Sequence, residues 1–195
     1  MMIPFTFIIC LGFVSTSLAG NGEPSDGKQP LSHGIFSWAN CGSKKYPAVL
    51  EALSIQPDPI NLPGDLQASA TGSSSVTLEA PLMVNLTVYK EEVGVWIKVP
   101  CLQYIGSCIY KDVCALLDML IPPGQNCPEP LFTYGLPCHC PFKAGKYSLP
   151  NTTFNIPYVE LPFWMTSGNY RAMAVLTRDR EELACIKVSF ALKAK

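Results

Sequence analysis

Apolar and polar positions alternate along much of the chain. From Leu82 to Tyr89, the side chains of Leu82, Val84, Leu86 and Val88 fall on one face and Asn85 and Thr87 on the other. That period of two marks a half-buried β-strand. Cys185 to Lys193 alternates as cleanly and sends Lys187 and Lys193 outward. Residues 93–99 and 170–176 read as further strands, with weaker ones at 48–56, 65–71, 75–79 and 154–160. Strands of this number and spacing predict an antiparallel sandwich, barrel or cup. One stretch has the helical period instead: Ile109, Val113, Leu116, Leu117 and Leu120 form a single apolar stripe. Ser107 is placed to cap its start, and Pro122-Pro123-Gly124 ends it. With 18 prolines in 195 residues, long helices have little room.

The first 34 residues are of a different kind. Met1 to Ala19 carries no charged side chain, Pro4 to Val14 is largely apolar, and Ser17-Leu18-Ala19 offers small residues before a cut at Gly20. This reads as a signal peptide over 1–19, shorter than the ~20 residues that span a bilayer. Residues 20–34, rich in Gly, Pro, Ser and Asn, hold too little apolar surface to fold and read as a flexible leader open to trimming. Residues 35–195 are left as a single domain. Its composition, 48% hydrophobic against 15% charged over the whole chain, requires a packed core. A net charge of −1 with no basic run argues against nucleic-acid binding.

Removing the signal peptide takes Cys10 with it and leaves Cys41, Cys101, Cys108, Cys114, Cys127, Cys138, Cys140 and Cys185. An even set in a secreted chain reads as disulfides, with 105 connectivities open for eight cysteines. Most bridges should staple residues 101–140, where six of the eight cysteines crowd. Cys138 and Cys140 are badly placed to join each other, and Cys41 and Cys185 are suited to joining the ends of the fold. A metal site around His139 is the rival, but paired C-x-x-C spacing is absent and the compartment oxidising. Secretion also gives meaning to two glycosylation sequons, at Asn85 and Asn151.

Catalytic chemistry is hard to place. After the leader, which holds His33, only His139 could serve a nucleophile as base, and no G-x-S-x-G motif accompanies it. Glu91-Glu92 and Glu181-Glu182 read as solvated charge at strand or turn ends. No phosphate-cradling glycine loop or calcium loop appears. No catalytic residue, metal or cofactor is assigned. More telling is apolar material where a surface should be polar. Val93-Gly94-Val95-Trp96 follows the charged Lys90-Glu91-Glu92, and Leu161-Pro162-Phe163-Trp164-Met165 is bracketed by loop residues. Either these segments fold back into the core, or they form a patch that touches a membrane or lipid.

Several blocks stand out: Phe36-Ser37-Trp38, Gly94 to Cys101, Tyr104 to Cys108, Cys114 to Pro122, Cys127 to Leu131 and above all Thr133-Tyr134-Gly135-Leu136-Pro137-Cys138-His139-Cys140-Pro141-Phe142-Lys143. Together they resemble the ganglioside GM2 activator family of lysosomal lipid-recognition proteins. The similarity runs from about Phe36 to the C-terminus. It implies a mostly β fold, an antiparallel β-cup with a large apolar cavity and one short helix. It implies the bridges Cys41–Cys185, Cys101–Cys108, Cys114–Cys140 and Cys127–Cys138. It implies a non-enzymatic lysosomal cofactor that lifts GM2 ganglioside from the membrane and presents it to β-hexosaminidase A. Val93, Val95, Trp96, Phe163, Trp164 and Met165 would then touch the membrane or lipid, beside Asn169 and Tyr170 at the cavity mouth. The family's usual sequon after Pro63-Gly64 is missing, because Asp65 takes the asparagine position.

The implied role has a physical logic. Baring a ceramide of roughly 30 methylenes to water would cost on the order of 20 kcal/mol, so its chains must pass almost directly from bilayer to an equally apolar interior. At about pH 4.5, ordinary pKa values give a net charge of about +6, which draws the protein towards anionic lipid. Two other classes compete: a secreted lipid hydrolase, and a disulfide-rich ligand or inhibitor that acts through protein surfaces with no lipid cargo.

Overall fold

The computed structural model describes residues 36–41, 45–158 and 161–194. The signal peptide, Cys10, the leader and His33 lie outside the described residues. Among the described residues, ten strands and one α-helix follow in order: β1 (Ser37–Asn40), β2 (Ala48–Gln56), β3 (Ile60–Leu62), β4 (Gly64–Ser74), β5 (Met83–Glu92), β6 (Val95–Lys98), β7 (Ile109–Tyr110), α1 (Val113–Leu120), β8 (Gly145–Ile156), β9 (Gly168–Arg178) and β10 (Glu181–Ala194).

The alternating segments pair into two sheets. The larger runs β1-β10-β9-β5-β6, with β3 lying parallel against β10 and β7 against β5; the smaller is β2-β4-β8. Every other pairing is antiparallel. The fold is therefore mostly β. Its core forms between the sheets: Leu50, Leu66 and Ile156 of the smaller sheet meet Val84, Leu86, Tyr170, Ala172, Ile186, Val188 and Phe190 of the larger. Polar residues of the same strands, among them Asn85 and Lys187, face out.

Three expectations are corrected. The helix begins at Val113, not near Ile109, because Asp112 is its cap, accepting from Cys114 N at 3.0 Å. Ile109 belongs to β7, and Ser107 instead bonds both polar groups of the Val88 backbone, at 3.0 and 3.1 Å. Residues 75–79 form no strand, only an isolated bridge between Leu78 and Phe142. Residues 93–94, read as the start of a strand, form the turn that follows Glu92, so β6 begins at Val95.

Candidate functional site

The β5–β6 hairpin and the start of β9 form one corner of the larger sheet. Glu92 pairs with Val95, so Val93 and Gly94 make a two-residue turn, both with positive φ (50° and 78°). This is the primed geometry that matches strand twist. Val93 is fully exposed, and Val95 and Ile97 are 62% and 53% exposed. Ile97 was missed by the sequence reading, although the alternation that carries Val95 also carries it.

Register then separates the remaining residues into two faces. Lys90 pairs with Ile97 and with Tyr170, so these three share the inner face. Lys90 is buried and ion-paired with Glu92. It lies against Gly168, where an added Cβ would stand 3.0 Å from Lys90 Cε. On the outer face, Glu91 pairs with Trp96, and Tyr89 with both Lys98 and Arg171. The Arg171 guanidinium lies 3.9 Å from the centre of the Trp96 ring, and Asn169 Nδ2 donates to Glu91 Oε2 at 3.0 Å.

The expected contact residues therefore divide. Val93 and Val95 are open to a partner. Trp96 turns to the opposite face and is half-buried beneath Arg171. Residues 163–165 form a 3-10 turn in which Trp164 is half-buried. Met165 is only 7% exposed, so its side chain lies in the interior. The Phe163 side chain lies outside what is described. Asn169 and Tyr170, neighbours along β9, face opposite ways. Tyr170 is 3% exposed, stacks on Phe190 with ring centres 5.5 Å apart and donates its hydroxyl to Met165 O at 2.8 Å. Burial, and after it the Glu92 charge, raises its phenol well above the ordinary value and keeps it neutral.

The cysteine-rich region is closed by Cys101–Cys108, Cys114–Cys140 and Cys127–Cys138, and Cys41–Cys185 joins β10 to the end of β1; Cα separations are 4.9–5.6 Å. Both thiols beside His139 are thus spent in disulfides. Its Nδ1 lies 2.9 Å from Asp118 Oδ1, tying this loop to α1. The sequon residues Asn85 and Asn151 are both exposed. Asp65 accepts from Asn155 Nδ2 across the β4–β8 pair at 2.9 Å.

The model of the ML domain matches residues 35–192. A ganglioside GM2 activator from Macaca fascicularis is 55% identical over 160 residues, 82% of this chain and 84% of its own. One from Mus musculus is 54% identical over 180 residues, 91% and 93% of the two chains. The chain belongs to the ganglioside GM2 activator family of ML-domain proteins. Among solved structures, a Niemann-Pick type C2 protein from the Japanese carpenter ant is 17% identical, with 80% of this chain and 99% of that one covered and a TM-score of 0.40. Chicken MD-1 complexed with lipid IVa is 14% identical, with 80% and 88% covered and a TM-score of 0.40. In this member of the GM2 activator family, the four bridges are those the sequence resemblance implied.

Proposed function

We propose that the protein is a non-enzymatic lipid-binding cofactor. It takes up a glycosphingolipid between its two sheets and presents the sugar head group outside. One observation carries this reading: apolar side chains on the inner faces remain half-buried, where a filled sandwich would cover them. Leu53, Ile55 and Phe154 do so on the smaller sheet, and Val88, Ala174 and Leu176 on the larger. Apolar walls that keep solvent access suit an acyl chain, which supplies the contacts that neighbouring side chains do not. The exposed Val93, Val95 and Ile97 lie at one corner of these walls and give the lipid an apolar route from the bilayer. Family membership supports GM2 ganglioside as cargo, β-hexosaminidase A as the enzyme that receives it, and the lysosome, reached through the secretory pathway, as the place of action. Asn151 and Asn85 are the proposed glycan sites, and residues 35–195 the proposed lipid-binding domain.

Native mass spectrometry of the secreted protein tests the reading. The expected spectrum carries adducts of lipid mass, which exchange for GM2 when the protein is incubated with ganglioside-doped vesicles. A lipid-free spectrum before and after that incubation would favour the protein-ligand alternative.

A further inference from the structure

We propose that an N-linked glycan on Asn85 covers an apolar patch on the outer face of the larger sheet and so keeps the protein monomeric. The inference rests on the secretory route of the reading above and is independent of the lipid cargo.

Strand register builds the patch. Val84 and Leu86 turn into the core, so Met83, Asn85 and Thr87 share the outer face of β5. Asn85 pairs with Ile109 of β7 on one side and with Val175 of β9 on the other. Side chains opposed in this way stand about 5 Å apart. Met83 pairs with Thr177 and Thr87 with Met173, so none of these sheet partners is charged. Ile109 is 64% exposed and Met83 39%, while Val175 and Met173 are half-buried. Single apolar side chains on a surface are ordinary. Four of them grouped around one residue of one face make a patch that calls for a cover.

The sequon supplies the cover. Asn85-Leu86-Thr87 sets an exposed acceptor amide at the centre of the patch. In the transfer, Asn85 Nδ2 attacks the anomeric carbon of an oligosaccharide carried on a polyprenyl pyrophosphate. A C–N bond forms as the N–H proton leaves. The C–O bond to the pyrophosphate breaks, and the pyrophosphate departs with that electron pair; nothing is oxidised or reduced. The first ring then lies over Ile109 and Val175, with its C–H groups against them and its hydroxyls in water. Apolar area is thereby removed from solvent without a second chain. Asn151 shows the contrast. Its neighbours along β8 are Pro150 and Thr152, and the opposing stretch of β4 is Ala68-Ser69-Ala70. A glycan there meets small side chains and hydroxyls.

The protein secreted from cultured cells tests this. After an amidase has released N-linked glycans, peptide mass mapping should find the Asn85 amide converted to a carboxylate. In sedimentation velocity, the glycosylated protein should remain a monomer as its concentration is raised. Asn85→Gln and Thr87→Ala abolish the sequon in two ways, and each should make the sedimentation coefficient climb with concentration. Adding Ile109→Ser to either should return the monomer value, a rescue that a misfolded chain would not show. Thr87→Ser, which keeps the sequon, and Asn151→Gln should match the unsubstituted protein. Sequon variants that stay monomeric overturn the shield. Self-association that persists with Ile109→Ser lies at another face and overturns the patch. An intact Asn85 amide beside a converted Asn151 overturns the glycan site alone, whereas two intact amides overturn the secretory route as well.

Discussion

Val93 combines two costs in one residue. A β-branched side chain at φ 50° sits in the left-handed region at about 1–2 kcal/mol, and its full exposure forgoes the gain of burial. Asparagine suits the first position of this turn better. Val93→Asn is therefore expected to stabilise the protein by about 1 kcal/mol in guanidinium unfolding, while weakening its sedimentation with lipid vesicles. Undiminished sedimentation would remove the hairpin tip from the membrane contact. Both apolar segments were legible in the sequence as out of place. Which side chains faced out was not. A strand of four residues such as β6 has too few alternations to fix its phase, and Val-Gly lacks the Asn-Gly signature that would have located the turn and with it the face of Trp96. That Met165 and Tyr170 turn inward was not legible for a related reason: a loop or a strand end shows its apolar content but not the direction in which each side chain points.

At the scale of elements, the long alternating segments β5, β9 and β10 were read as strands, though short by up to four residues at an end. The short edge strands β1 and β3 were not, because three or four residues carry no measurable period. Most of β8 was also missed; Pro150 and Asn151 interrupt its alternation at a bulge, where Ala68 pairs with Thr152 but Ala70 with Leu149. A second bulge, between Leu50 and Ala52, has a side-chain partner. Asn40 donates to Leu50 O at 2.6 Å and accepts from Leu50 N at 3.1 Å, clasping the smaller sheet to β1 of the larger. Leu50 is 2% exposed, so its backbone groups have no ready water substitute. Asn40→Ala should cost about 1–3 kcal/mol in unfolding free energy. A change below about 0.5 kcal/mol, the range of ordinary surface substitutions, would mean the clasp holds nothing.

At the scale of the molecule, the four bridges differ in what they restrain. Cys41–Cys185 closes a sequence separation of 144, and Cys101–Cys108 one of 7. Chain entropy assigns about 5 kcal/mol to the first and about 2.5 to the second. Replacing both partners by serine should therefore lower the denaturant midpoint much further at Cys41–Cys185, and the reverse order would place the stabilisation in local packing. Charge also acts on the whole body. The net charge is −1 at pH 7. As carboxylates take up protons and histidines gain charge, it rises to about +6 near pH 4.5. Cosedimentation with anionic vesicles should thus be stronger at pH 4.5 than at pH 7 and weaken with added salt; equal binding at both would leave apolar contact as the whole attraction. One outer strand of the smaller sheet is β8, twelve residues long and paired only with β4 among the described residues. An unbroken margin of that length would offer its donors and acceptors to a second copy. Pro150 brings no N–H and the bulge bends the strand, so such a zipper stops after a few rungs. An edge interrupted in this way makes a poor seam for a second copy, where a straighter one would stack into fibres.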